Sequence, residues 1–349
     1  MTVDREHILC ARLRNQFLLE RSACATVVSG LCGLQAQFAS NPKYALRIRG
    51  SDFDEADWDA GLVKIWSFRH TLHVVRLDEL GVFLSAAGMP DRWEGFEGIG
   101  APRAEALAGF LMEQIISGVT GREALKARCR EADVGREELD KVFNGWGGLL
   151  YEMNQRGMIA YHPGTAKNFL PCAGVERMDK ESARAVLLRR YFRSFGPAAL
   201  EDCAAFTGYK KREIAGIIER HKIALRSVRS RGTEYFHSGS LPDFRAVPPC
   251  IFLAGFDQMI MGYKDRSAIL DDKFKRSVVT VSGIVSPTVL LDGRICAKWK
   301  KDKDKLVIYP FRKLSKRERR IAAEFGESLF GRVPAAGGVR GIVFDDAIV

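Results

Sequence analysis

Between residues 181 and 238, apolar spacing and chain breakers set out one order of elements. ESARAVLLRRYFRSFG reads as a helix closed by Gly196, and PAALEDCAAFTG as a short helix with Pro197 at its start. YKKREIAGIIERHKIAL is the next helix, and LRSVRSRGTEYFHS reads as two strands around the turn Arg231-Gly232. A short helix, a longer helix and two paired strands form the winged-helix order, a variant of helix-turn-helix. The same order runs through an earlier stretch. VTGREALKARC has Thr120 as N-cap and Glu123 three residues on, the pattern of a capping box. REELDKVFNGWGGLLYEMNQRG then reads as a long helix ending at Gly157, followed by a strand from Met158 to Tyr161.

The rest of the first 180 residues is mostly helical. Residues 4–20 carry Leu9, Leu13 and Phe17 at spacing four; helices follow at 23–35, from Pro42, over 52–62, in RLDELGVFLSAAG and over 104–118. WSFRHTLHVV (66–75) alternates like one strand, with Phe68, His70, Leu72 and Val74 on one face. After LPDFRAVPPC the character changes to strand and turn. Asp292-Gly293 signals a hairpin between TVLL and RICAKW. The next turn is KKDKDK, and SKRERRIAAEFGESLF is a last helix before a Gly/Ala-rich segment. The expected fold is α+β: tandem winged-helix (helix-turn-helix) domains, then a small antiparallel β-barrel and a C-terminal helix. The expected boundaries are winged helices over 1–100, 101–180 and 181–245, barrel and helix over 246–331, and a tail over 332–349.

One short motif does not fit a helical reading. GLCGLQAQFASNPKYAL (30–46) places Gln35 and Gln37 on either side of Ala36 in a small, apolar run. In a helix, residues two apart point about 200° away from each other. Ser40 and Asn41 are good N-cap residues and Pro42 suits the start of a helix. The chain is therefore expected to break here, leaving both amides in a connection. They are there either as hydrogen-bonded connectors or as groups aimed at one spot.

Composition excludes several classes. No apolar run is long enough to span a bilayer, and the N-terminus has no signal-peptide pattern. The expectation is a cytoplasmic protein. The eight cysteines are scattered without a C-x-x-C pair, so they read as buried thiols, with no metal site expected. No Walker loop, G-x-G-x-x-G or G-x-S-x-G is present, and no cofactor is expected. The net charge of +11 is concentrated in two blocks: residues 184–231 and 298–320 each carry a net +8. Such blocks suit a polyanion. The candidate DNA-binding residues are Lys210, Lys211 and Arg212 on the second helix, Arg226, Arg229 and Arg231 on the wing, and Lys300, Lys301, Lys303 and Lys305 in the later turn.

GLQAQ, RHTLHVV, FGPAALEDCAAFTG, GFDQMIMGYKDRS and PTVLLDGRICAKW, in that order, resemble the AlkZ/YcaQ-like family of tandem winged-helix DNA glycosylases over about residues 5–331. The resemblance implies a basic channel for double-stranded DNA and excision of alkylated, N7-substituted purines, in some members from interstrand crosslinks. It implies a catalytic Gln-hydrophobe-Gln, matched by Gln35 and Gln37 around Ala36. Arg69 and His73 are candidates to line the site. The chain departs from the family at His70, where the Arg-Gly-Thr-Leu-His run has Gly, and at Met259, where many relatives have an aromatic residue. An N7-alkylated purine is already cationic, so its departure needs no strong acid. What remains is to place a water and stabilise an oxocarbenium-like sugar. The expected enzyme is a monofunctional, monomeric DNA glycosylase with no obligate protein partner. The competing reading is a non-catalytic winged-helix regulator, which would explain the basic blocks and not the glutamines.

Overall fold

The computed structural model describes residues 3–347, apart from 90, 91, 94, 97, 145–147, 166, 167, 173, 239, 240, 242–246 and 332–338. The boundary expected between residues 245 and 246 lies outside the described residues. The chain divides into two compact units. One combines the residues up to Ala60 with those from Leu188 onward, and the other is the insertion Gly61–Leu187.

The first unit opens with α1 (Arg5–Asn15), α2 (Cys24–Gly30), the two-residue strand β1 (Leu34–Gln35) and α3 (Ser40–Arg49). The helix expected over 23–35 stops five residues early, and Cys32 and Gly33 take φ of 54° and 83°. The backbone reverses there, so the glutamine motif falls in a connection, as the residue pattern indicated. The helix expected over 52–62 does not form, and residues 55–60 are turns. Asp52 accepts the Cys24 amide at 2.7 Å and Asp54 accepts that of Ala56 at 2.7 Å. Short acidic side chains of this kind compete with helical hydrogen bonding.

The inserted unit contains β2 (Leu62–Trp66), β3 (Leu72–Arg76), α4 (Leu80–Ala87), α5 (Ala101–Ile116), α6 (Arg122–Glu131), α7 (Arg136–Val142), α8 (Gly148–Gln155), β4 (Ile159–Tyr161) and β5 (Phe169–Pro171). The single strand expected over 66–75 is two strands joined by a tight turn, with Ile65 opposite His73. Arg69 and His70 both take left-handed backbone, φ 55° and 52°, and the turn reverses the chain within three residues. The long helix expected up to Gly157 is likewise two helices, α7 and α8, with Gly148 at φ 71°. The strands lie in the order β3-β2-β4-β5. They share a core in which Leu107, Leu111, Leu125, Leu149 and Met153 pack with Trp66, Ile159 and Phe169.

Helix α9 (Lys180–Ser194) carries the chain back to the first unit, followed by α10 (Leu200–Thr207), α11 (Lys211–Arg220), β6 (Arg226–Ser230) and β7 (Thr233–His237). Tyr191 stacks on Phe195 at 4.7 Å, and Phe206 closes the cluster. Arg12 of α1 ties this layer to the N-terminus, donating to the Pro197 carbonyl at 2.9 Å and approaching the Asp202 carboxylate at 3.5 Å.

The remainder of the unit comprises β8 (Cys250–Leu253), α12 (Gln258–Met261), α13 (Lys275–Val278), β9 (Thr288–Leu291), β10 (Arg294–Asp302), β11 (Lys305–Pro310), α14 (Lys316–Phe330) and β12 (Gly341–Phe344). Asp292 and Gly293 form the expected hairpin turn, with φ of 45° and 77°. Among the described residues the strands do not close into the expected barrel. The strands form an open sheet in the order β12-β11-β10-β9-β8, antiparallel except for β12, which runs parallel to β11. A barrel needs its last strand to return to its first; here the last strand, drawn from residues read as a tail, ends the sheet at the opposite edge. Helix α3 is packed on this sheet through Tyr44, whose ring lies 5.2 Å from Trp299 and 5.8 Å from Phe330. The glutamine connection is therefore held between α2 and a helix fixed on the sheet. Among the described residues no helix is long and apolar enough to cross a membrane.

Candidate active site and nucleic-acid interface

Gln35 is 5% exposed, and Ala36 beside it is buried. The Gln35 Oε1 is enclosed and accepts no hydrogen bond from any described residue. Gln37 is half-buried. In the inserted unit two buried amides are hydrogen-bonded. Asn154 accepts the Trp66 amide at 3.0 Å and donates to the Ile159 carbonyl at 2.9 Å, and Gln155 donates to the Trp66 carbonyl at 2.9 Å. An enclosed acceptor left without a donor costs about 1–3 kcal/mol. Such an atom calls for an explanation, a catalytic role or a bound water among them. The Gln35 oxygen has further company: Gln16 Oε1, Asn41 Nδ2 and Gln258 Oε1 are also enclosed and unmatched among the described residues.

Asn41 and Gln258 mark where the segment bearing Gln35 meets the turn 254–258. Gln258 Nε2 donates to the Gly33 carbonyl at 2.8 Å, and the Phe38 ring lies 6.1 Å from that of Phe256. A side chain at Gly255 would place its Cβ 2.7 Å from Asn41 Oδ1. Residues 33–41 thus rest on the turn 254–258. Beneath them Arg49 holds the Asp257 carboxylate through both terminal nitrogens, at 2.9 and 2.7 Å, and its Nε donates to the Gln16 carbonyl at 2.9 Å. Both side chains of this ion pair are fully buried. Asp257 also accepts the Met259 amide at the start of α12 and the Ala254 amide. The role of Asp257 is architectural.

Sequence reasoning overlooked Asn41 and Gln258 as partners of the glutamine motif. The available signal was an amide in an apolar run, GFDQMIM, the same signal that marked Gln35 and Gln37. It also overlooked Val281 and Ile284, which are 90% and 41% exposed. They flank the turn of a short hairpin in which Val279 bridges Val285, and Val285 accepts the Phe256 amide at 3.2 Å. An apolar tip therefore projects from a hairpin anchored to the turn that supports the glutamines.

Arg69 and His73 belong to the inserted unit. Arg69 sits at the turn between β2 and β3. The departure at His70 has a clear physical sense. The position takes φ 52°, which glycine adopts freely and which His tolerates better than most residues. His70 is anchored by Nδ1 at 2.9 Å from the Tyr151 hydroxyl. His73 is fully buried on β3. Its Nδ1 lies 3.2 Å from the Thr71 carbonyl, so Nδ1 carries the proton, and Nε2 is enclosed without a described partner. Burial, helped by the Arg69 charge, pushes its pKa down from 6.5 to about 3.

A lowered histidine pKa means that acid favours the unfolded chain. The stabilisation is complete above pH 6.5 and declines as pH falls toward about 3. Between pH 7.5 and 4.5 the contribution of His73 is expected to fall by roughly 3 kcal/mol. Urea unfolding at the two pH values measures it. His73→Gln, which cannot titrate, should lose correspondingly less, and equal acid sensitivity in both proteins would refute the assignment.

The basic candidates all lie in the first unit. Lys210, Lys211 and Arg212 are exposed at the start of α11, Arg226 and Arg229 are exposed on β6, and Arg231 is exposed at the hairpin turn. Lys211 pairs with Glu201 at 2.6 Å. Lys300, Lys303 and Lys305 are exposed around the turn between β10 and β11, whereas Lys301 is half-buried and donates to the Lys303 carbonyl at 2.8 Å. In the inserted unit, a cleft of about 600 Å³ is lined by Leu77, Val82, Cys172, Val175 and Met178 among others. None of the candidate residues named from the sequence lines it.

The family model described as "DNA glycosylase AlkZ-like" matches residues 28–329. An interstrand DNA cross-link repair glycosylase of Streptomyces sahachiroi is 26% identical over 347 residues, covering 89% of this chain and 91% of the relative. The solved structure of the Streptomyces sahachiroi DNA glycosylase AlkZ superposes with a TM-score of 0.76 at 21% identity, over 99% of this chain and 100% of that one.

Proposed function

We infer the reaction from a plain premise: this chain belongs to the AlkZ-like DNA glycosylase family. It is a DNA glycosylase, a hydrolase of the bond between base and deoxyribose. We propose that its substrates are purines alkylated at N7 and that Gln35 and Gln37 form the catalytic pair. The observation that carries this reading is the buried, uncommitted Oε1 of Gln35. In an N7-alkylated purine the ring is cationic, and the electron pair of the breaking C1′–N9 bond neutralises it on departure. The water oxygen forms the new bond to C1′, and the water proton passes to solvent, since a neutral amide is too weak a base to keep it. Gln35 Oε1 accepts a hydrogen bond from the water and, as a dipole, favours positive charge on the sugar. Gln37 shares this task from the other side of Ala36. Because each N7 adduct is activated in the same way, an interstrand crosslink between two such purines is unhooked by the same step.

Two further features favour duplex DNA as the substrate surface. Helices α10 and α11 with the β6–β7 hairpin are read as a winged helix, and α6 to α8 with β4 and β5 as another. Their exposed basic residues suit phosphates. The apolar tip at Val281 and Ile284 suits a wedge at an unstacked base step. The protein acts as a monomer in the cytoplasm on this reading.

The test is to offer the purified protein a duplex with one N7-methylguanine and to measure abasic sites. Abasic sites should accumulate, and duplex affinity should fall steeply with salt, as counterion release requires. Replacing Lys300, Lys301, Lys303 and Lys305 with Ala should weaken binding to all sequences alike. Salt-sensitive binding without abasic sites would instead favour a winged-helix regulator.

A further inference from the structure

We propose that Gln258 is a positioning residue for catalysis, holding the segment that bears Gln35 through its hydrogen bond to the Gly33 carbonyl. The inference rests on the catalytic reading of Gln35. Gly33 takes φ 83°, so the direction of Leu34 and Gln35 depends on how the Gly33 peptide is oriented. Gln258 donates to that peptide at 2.8 Å, from a side chain only 2% exposed. Its own amide oxygen accepts no hydrogen bond among the described residues. The donor alone therefore accounts for an amide at this place, at the cost of leaving an enclosed acceptor unmatched.

The position of Gln258 is itself overdetermined. It is the first residue of α12, its carbonyl accepts the Gly262 amide at 2.8 Å, and the preceding Asp257 is clamped by Arg49. At the far end of the glutamine segment, Gly255 lies beside Asn41: a Cβ at 255 would come 2.7 Å from the Asn41 Oδ1, and the Asn41 side chain would have to shift. Phe38 leans on Phe256 between the two. A segment from one end of the sequence is thus held at three points by a turn more than 200 residues away. Catalytic amides need such support, since loose placement of a reacting partner forfeits most of the benefit of binding it.

The experiment measures single-turnover excision of N7-methylguanine, duplex affinity and urea midpoint for Gln258→Met, in the native and the Gln35→Ala backgrounds. Methionine preserves the shape and removes the donor. The excision rate of Gln258→Met should fall roughly 10- to 100-fold with duplex affinity unchanged. In the Gln35→Ala background the same substitution should cost nothing further. An equal fall in both backgrounds would overturn the proposal, as would full excision by Gln258→Met beside a defective Gln35→Ala. Full excision by Gln35→Ala would overturn the catalytic reading together with this one. Gln258→Glu supplies a second readout. The protonated acid can donate to the Gly33 carbonyl and the carboxylate repels it, so excision should fall as pH rises through the carboxyl pKa while the protein stays folded. A pH profile matching that of the native protein would count against the proposal.

Discussion

Gln35→Ala is expected to lower excision of N7-methylguanine by roughly 10²-fold, the scale of losing one preorganised polar group at a site of developing charge. Duplex affinity should be nearly unchanged, because the residue is buried and uncharged. A second variant separates function from folding. Gln35→Met keeps the shape of the side chain and removes an enclosed oxygen that accepts no hydrogen bond from a described residue. Its urea midpoint should stay level or rise, since relieving an unmatched acceptor is worth about 1–3 kcal/mol, while excision falls as in the alanine variant. A site that gains stability as it loses activity is the usual sign of a group kept for function. The double variant Gln35→Ala, Gln37→Ala should be less than multiplicatively worse if the pair acts as a unit. Full activity in the double variant would end the catalytic reading of both residues.

Asp257→Ala is expected to destabilise the protein by about 3–5 kcal/mol, because it leaves the Arg49 guanidinium buried and without its counter-charge. The same change also removes the acceptor for the Ala254 and Met259 amides. Arg49→Ala should cost a similar amount. The pair together should cost clearly less than the two added, since the second removal no longer strands a charge. Chemical denaturation of the four proteins gives the coupling directly. A loss below about 1 kcal/mol for Asp257→Ala would mean that the pair is not the brace described here. Where the variant remains folded, its excision should also fall, because the turn 254–258 is what residues 33–41 lie on.

Local chemistry was enough to place a break between α2 and α3, although Ser40 is the first residue of α3 and not its cap, and Pro42 is the third. It was enough for the Asp292-Gly293 hairpin, and for the order α10, α11, β6, β7, whose periods and breakers lie within the elements themselves. It singled out Gln35 and Gln37 as two amides in a connection, and the family resemblance made them catalytic candidates. The readings that failed were of another kind. The segment 66–75 alternates as one strand would, yet it folds back at Arg69 and His70, where two residues that are not glycine adopt left-handed backbone. The acidic run at 52–60 has helical composition, but the Asp52 carboxylate is engaged by an amide 28 residues upstream.

What the amino-acid sequence determined by itself was therefore most of the helices, the Asp292-Gly293 turn and the basic blocks, together with the break at the glutamine motif, since propensity and charge act over a few neighbouring residues; the caps expected at Ser40 and Thr120 are not made, α3 and α6 being preceded by Ala39 and Gly121. Only the tertiary structure decided that the sheet stays open, that β12 from the expected tail joins it in parallel, and that Gln258 and the Arg49–Asp257 pair support the segment carrying Gln35. Each of those outcomes rests on partners far apart in the chain. A hydrogen bond or buried ion pair between them is energetically decisive only once folding has excluded water from both.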